Sequence, residues 1–235
     1  MHITGFAYWE AKVAKSPILP FNIWKAPSFG ILMLAIFFSF MSLGIFFWYM
    51  NIYMQTIRGD SLIMVGVQYL PLTIGGCANA FFAAWLVPRV PAQVIIGIGC
   101  LAMTIINVLL ATIPARLTYW AMAFPAMFLS AYTIDLITTS AQIIASNTVP
   151  LKHQGIAGSL VGTLLSYGMS TGLGFAGTVE VNTFDNGNNL LKGYHSAAYL
   201  AVGLATTSLI LGVGFVRIPK DTREGWSENE AGVER

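Results

Sequence analysis

A chain of 235 residues could form one or two soluble domains, but 56% of its residues are hydrophobic and only 9% are charged, against roughly 25% charge in an ordinary soluble protein. With a mean hydropathy of +0.69, too few charges remain to solvate a surface, which excludes a soluble enzyme. The formal net charge of +2 gives nucleic acid no electrostatic hold, so no nucleic-acid partner is expected.

Residues 1–27 carry Glu10, Lys12, Lys15 and Lys25 and lack an apolar signal-peptide core, so they read as a cytoplasmic segment without a cleavable leader. A membrane-crossing helix needs about 20 mostly apolar residues, and six stretches qualify. They are Ser28 to Tyr53, Ile63 to Val87, Val94 to Thr112, Tyr119 to Ser146, Ile156 to Val179, and Ala197 to Val216. The expected fold is therefore all-α and polytopic, with a six-helix transmembrane domain over 28–216 and a polar cytoplasmic tail over 217–235. Turn and charge signals separate the spans: Arg58-Gly59-Asp60, Pro88-Arg89-Val90-Pro91, Pro114-Ala115-Arg116, Pro150-Leu151-Lys152-His153, and the polar run Asn182 to His195. Most connections are short, so successive helices should be antiparallel neighbours.

Positive charges near spans are retained on the cytoplasmic side. With the N-terminus inside, Lys12, Lys15, Lys25, Arg89, Lys152, Arg217, Lys220, Arg223 and Arg235 lie inside, and Arg58, Arg116 and Lys192 lie outside. That bias predicts both termini in the cytoplasm.

The first span is dense in aromatics, and near its outer end Trp48 is followed by Asn51 and Gln55. These rings can simply face lipid and neighbouring helices, or they can bind a flat, partly apolar molecule beside the two amides. In the second span, Pro71 marks a kink and a candidate hinge.

On these boundaries, nine of the ten acidic residues fall in loops or tails and only Asp135 lies mid-helix, in the fourth span. A carboxylate at that depth costs about 2.5 to 3.5 kcal/mol unless it is solvated, paired or protonated. Tyr132, Asp135, Thr139, Gln142 and Ser146 follow spacings of three and four, hence one helix face. A polar face must meet water or partner helices. Two readings stay open: a proton or substrate pathway, or a protonated packing residue with Thr138 or Thr139 bonding nearby backbone.

The fifth span carries Gly158, Gly162, Ser166, Ser170 and Gly174 at every fourth position, and a second small pair, Gly168 with Gly172. Such patterns let helix backbones approach closely, so tight packing is expected, with a substrate role for Ser166 or Tyr167 as the other reading. Cys77 and Cys100 sit in apolar runs, and His2, His153 and His195 are scattered. No metal site, cofactor, Walker loop, dinucleotide fingerprint or serine elbow is expected.

Several segments carry a resemblance when read in order. Ser16 to Trp24, Val67-Gln-Tyr-Leu-Pro71-Leu-Thr-Ile-Gly75-Gly76, Phe124-Pro125-Ala126 through Asp135-Leu136, and Val149-Pro150 with Gln154-Gly155-Ile156-Ala157-Gly158-Ser159-Leu160 resemble the C-terminal six-helix half of a fungal major facilitator superfamily transporter, of the fourteen-span drug:proton antiporter group. The family's basic loop between the second and third helices is reduced here to Pro88-Arg89-Val90-Pro91, and its N-terminal half is missing. The resemblance implies proton-coupled multidrug efflux of small organic compounds, a lipid bilayer around the chain, and a plasma or vacuolar membrane. It implies further that the first and fourth spans line a central cavity, and that a second six-helix half or another copy of the chain completes it. The other possibility weighed is a non-transporting remnant or partner subunit that only packs against another membrane bundle.

Overall fold

The computed structural model describes residues 29–148, 154–183 and 190–216; the expected N-terminal segment and polar tail lie outside them. Regular structure among these residues is helical throughout: α1 Phe29–Ile52, α2 Leu62–Gln68, α3 Leu70–Leu86, α4 Ala92–Thr112, α5 Ala123–Thr148, α6 Gln154–Thr183 and α7 Leu190–Gly214. A π-helical turn, Tyr53–Ile57, extends α1. Helices α2 and α3 make one span broken at Tyr69. Pro71 has no N–H to continue the ladder, so the bonding restarts from the Tyr69 carbonyl, which accepts from Leu72 and Thr73 at 3.1 and 3.3 Å.

Five spans are long and apolar enough to cross a membrane: Phe29–Ile57, Leu62–Leu86, Ala92–Thr112, Ala123–Ser146 and Leu190–Gly214. The remaining helix, α6, has the length, at 30 residues, but glycine, serine and threonine dilute its apolar character. The whole is the expected all-α, membrane-embedded half-bundle.

At its centre stands α1, packed on α6, α7, α4 and α5, with only Leu34 and Trp48 of its length exposed. In turn, α5 packs on α4, α3 and α6, while α4 packs on α7. Exchanging the first three spans for the last three carries the α1–α6 and α1–α7 contacts onto α5–α3 and α5–α4, and α4–α7 onto itself, whereas α6–α7 and α5–α6 pack with no comparable α3–α4 or α1–α3 contact.

Glycine sets the closest seam. A Cβ on Gly172 would lie 2.7 Å from the Met41 Cα, one on Gly168 would lie 2.8 Å from the Phe40 Cβ, and one on Gly44 would lie 2.8 Å from the Met169 Cα. The stripe Gly158, Gly162, Ser166, Ser170 and Gly174 is not that seam. No heavy atom lies within 4 Å of a Cβ built on Gly158, Gly162 or Gly174, and Ser166 and Ser170 are exposed. Residues 166 and 168 are about 200° apart around a helix, so burying one small stripe turns the other outward.

Polar groups staple α1, α4 and α7 internally. Ser39 and Ser208 hydroxyls pair at 2.6 Å, Ser42 donates to the Ala201 carbonyl at 2.8 Å, and Asn107 donates to Ser42 at 2.9 Å. Both α5 and α7 depart from their expected starts. Helix α5 begins at Ala123 rather than Tyr119, and the Tyr119 side chain instead donates its hydroxyl to the Gln68 carbonyl at 2.6 Å. Helix α7 begins seven residues early, at Leu190. Its Gly193 and Tyr194 are buried, the Tyr194 ring meeting Tyr49 edge-on at 5.7 Å.

The outer faces differ in chemistry. On α4, the exposed row Val94, Ile98, Leu101, Ile105 and Val108 is wholly apolar, as lipid contact demands. On α6, the exposed residues include Ser159, Thr163, Ser166, Ser170, Thr178 and Asn182, a surface suited to water or another helix.

Candidate functional site

The glycine at position 75 brings α3 against α5: a Cβ there would lie 3.1 Å from the Ala131 Cβ and 3.2 Å from the Phe128 carbonyl. One turn further along α3, Asn79 is fully buried. Its Nδ2 donates to Asp135 Oδ2 at 3.1 Å across the seam, and its Oδ1 is buried without a partner. Asp135 is half-buried. Thr138 does not serve the carboxylate, since its hydroxyl donates to the Ile134 carbonyl at 2.8 Å. Thr139 is half-buried and Gln142 exposed on the same face, and Ser146 returns its hydroxyl to the Gln142 carbonyl at 2.6 Å. Among the described residues the one ion pair is Arg58–Asp60, so no cation neutralises Asp135 there.

Above Asp135 the same α5 face turns aromatic. Tyr132 contacts Phe82 of α3 at 6.1 Å and Phe128 at 5.4 Å; Phe128 stacks on Phe124 at 6.4 Å, and Phe124 meets Trp120 at 5.1 Å. In the other direction Phe82 stacks on Trp85 at 6.3 Å, and the Arg89 guanidinium covers that indole at 4.6 Å. Rings thus line the α3–α5 groove from Trp85 to Trp120. At the end where α1 finishes, the groove widens into a cavity of about 560 Å³ lined by Met64, Pro71, Ile74, Trp120, Phe124 and Phe128, with Gln68 and Arg58 at its polar edge.

A polar lattice closes that end. Gln68 Nε2 and Arg58 Nε both donate to Asp60 Oδ2 at 2.9 Å. Arg58 also donates to the Leu117 carbonyl at 2.6 Å, Tyr53 to the Pro114 carbonyl at 2.9 Å, and His195 Nε2 to the Ile113 carbonyl at 2.9 Å. The hydrogen bond from Gln68, then that from Arg58 with its charge, hold the Asp60 carboxyl below its usual range against the opposing effect of burial.

Trp48, Asn51 and Gln55 form a separate patch on the open edge of α1, where Gln55 Nε2 donates to Asn51 Oδ1 and Trp48 is 53% exposed. Pro71 lies both at the α2–α3 break and on the cavity wall.

Sequence reasoning missed two participants. Glu180, one residue beyond the expected end of the fifth span, lies within α6 and accepts a hydrogen bond from the Tyr49 hydroxyl at 2.7 Å. It is therefore a second helix-borne carboxylate beside Asp135. Asn79 also went unread; an amide in an otherwise apolar helix was its only signal.

Among known proteins, the family model described as Major Facilitator Superfamily matches residues 7–173. The efflux pump terJ of Aspergillus terreus is 32% identical over 210 residues, 89% of this chain and 40% of that protein. A low affinity ammonium transporter of Saccharomyces cerevisiae is 34% identical over 200 residues, 85% of this chain and 38% of that protein. The multidrug transporter mdr3 of Aspergillus fumigatus is 32% identical over 160 residues, 68% of this chain and 30% of that protein. The chain spans about 40% of the length of the first two curated relatives it matches.

Proposed function

This chain belongs to the Major Facilitator Superfamily, a transporter family and not an enzyme family, and from that premise we propose that it forms one wall of a proton-coupled efflux pathway for small, largely apolar organic compounds. Asp135 is the proton-carrying group in this reading, and Tyr132, Thr139 and Gln142 line the route to it. The observation that carries the proposal is a half-buried carboxyl within a membrane-crossing helix, held by one amide and paired with no cation among the described residues. A carboxyl so placed is costly unless it serves a pathway or a proton.

Cargo chemistry follows from the groove. Its aromatic walls favour flat apolar molecules, and about 560 Å³ lies within the range of small-molecule pockets. Trp48, Asn51 and Gln55 offer a second contact of similar character. Pro71 acts as the hinge of the second span. A second six-helix half, supplied by another segment or another copy, completes the cavity opposite the polar open face of α6. Both termini lie in the cytoplasm, as the excess of lysine and arginine on that side supports, and the membrane is the plasma or vacuolar one.

The test is Asp135→Asn in the full assembly, reconstituted in proteoliposomes with an imposed pH gradient. Gradient-driven accumulation of a fluorescent, planar efflux substrate should fall to background, while exchange without a gradient persists. Undiminished gradient-driven transport by the Asn variant would remove Asp135 from the mechanism.

A further inference from the structure

The amide of Asn79 is half used. Its Nδ2 donates to Asp135, whereas its Oδ1 is buried with no donor in reach, an arrangement that proteins rarely tolerate. A carboxylate only accepts hydrogen bonds and cannot relieve this, but a protonated carboxyl gains one O–H donor. Turned about its terminal torsion, protonated Asp135 can donate to Asn79 Oδ1 while still accepting from Nδ2, closing an amide–acid ring with two reciprocal bonds.

We propose that Asn79 is the positioning residue that reads the protonation state of Asp135, locking the α3–α5 seam when the acid is protonated and leaving it one hydrogen bond short when the proton departs. The inference rests on the preceding assignment of Asp135 as the proton carrier. In the step itself a proton leaves a hydronium ion on the side of half-buried Thr139 and exposed Gln142, which becomes water, and joins a carboxylate oxygen. No other covalent bond changes, and the reverse step returns the proton to water.

Tight packing frames the pair on both sides. On one side of the pair, Gly75 holds the helices backbone to side chain at Ala131. On the other, Ala83, Leu86, Ile95 and Leu136 form an apolar plug. The titratable groups on the packed elements have other commitments or open outward. On α3, Cys77 is exposed and Arg89, past its end, covers Trp85. On α4, Cys100 contacts Ser39 and Ser208. On α6, Tyr167 is exposed and Glu180 is held by Tyr49 of α1. Tyr132, on α5 itself, packs its ring edge-on against Phe82 and tilted against Phe128. The amide is thus the hydrogen-bonding group that α3 presents to the acid.

Three variants of the full assembly separate the possibilities. In Asn79→Leu, the pH of half-maximal gradient-driven transport should move toward acid by about one unit, the worth of one hydrogen bond. The infrared carbonyl band of protonated Asp135, identified by its loss in Asp135→Asn, should shift to higher frequency. The exchange Asn79→Asp with Asp135→Asn keeps an amide facing an acid and should recover the pH-dependent transport that Asp135→Asn alone loses. An unchanged pH profile and band in Asn79→Leu, or a double variant no better than Asp135→Asn, overturns the role of Asn79. Unaltered pH dependence in Asp135→Asn overturns instead the assignment of the acid. If Asn79→Leu does not fold, the exchange variant alone decides.

Discussion

Replacing Gly172 by alanine tests the packing of α1 directly. The added Cβ would sit 2.7 Å from the Met41 Cα and 2.8 Å from its carbonyl carbon, short of an ordinary carbon–carbon contact of about 3.5 Å by about 0.8 Å. Backbone atoms cannot rotate aside, so α6 must move away from α1 by about that distance. A gap of that size forfeits a quarter to a half of the dispersion energy of each facing atom pair. Since the seam also runs through Gly44 and Gly168, the cost should reach or exceed the upper end of about 1 to 3 kcal/mol for overpacking. Alanine's better helix propensity returns no more than about 1 kcal/mol. Thermal unfolding of the detergent-solubilised protein, followed by fluorescence, should show Gly172→Ala melting well below the parent. Gly162→Ala, with nothing within 4 Å of the new methyl, should melt at or slightly above it. Equal melting temperatures for the two variants would refute the close approach of α1 and α6.

Two further outcomes are expected. The folded Asp60 carboxyl is held below its unfolded range, so its contribution to stability is complete above the unfolded value of about 3.9 and is lost as pH falls through the lower, folded value. Melting curves of Asp60→Asn across acidic pH should therefore be flatter than those of the parent and converge with them at the acid end. Asn107→Ala removes the bond from α4 to Ser42 of α1 and should lower stability by about 0.6 kcal/mol, up to about 1.7, which a denaturant titration in mixed micelles would measure.

The spans were legible because lipid imposes a length and an apolarity that a sequence displays without reference to partners. Partners chosen at long range were not legible. Glycine-rich α6 presents two small-residue stripes of equal regularity, and the stretch of α1 from Phe37 to Met41, more than a hundred residues earlier, selects Gly168 and Gly172 for burial. Glu180 read as loop because the apolar run ends at Val179, yet the Tyr49 hydroxyl supplies a partner that lets the helix continue past it. Leu190 to Tyr194 read as part of a polar connection for the same reason: the Tyr49 ring that covers Tyr194 lies far away in sequence. Of the candidate site, the Asp135 face was visible as a periodicity. Its Asn79 contact, 56 positions back, was not.

The central position of α1 has a consequence for how the chain is made. Ribosomes add about 5 to 20 residues per second, so the first span waits for roughly ten seconds before the segments that will enclose it have been synthesised. During that interval the faces that α1 will turn to α6 and α7 lack those partners and can rest against lipid only if they are apolar, so α1 combines a mean hydropathy of 2.3 with burial of 72% of its apolar window. Its serines endure the delay because a hydroxyl can bond back to its own helix until Ser208 and the Ala201 carbonyl arrive.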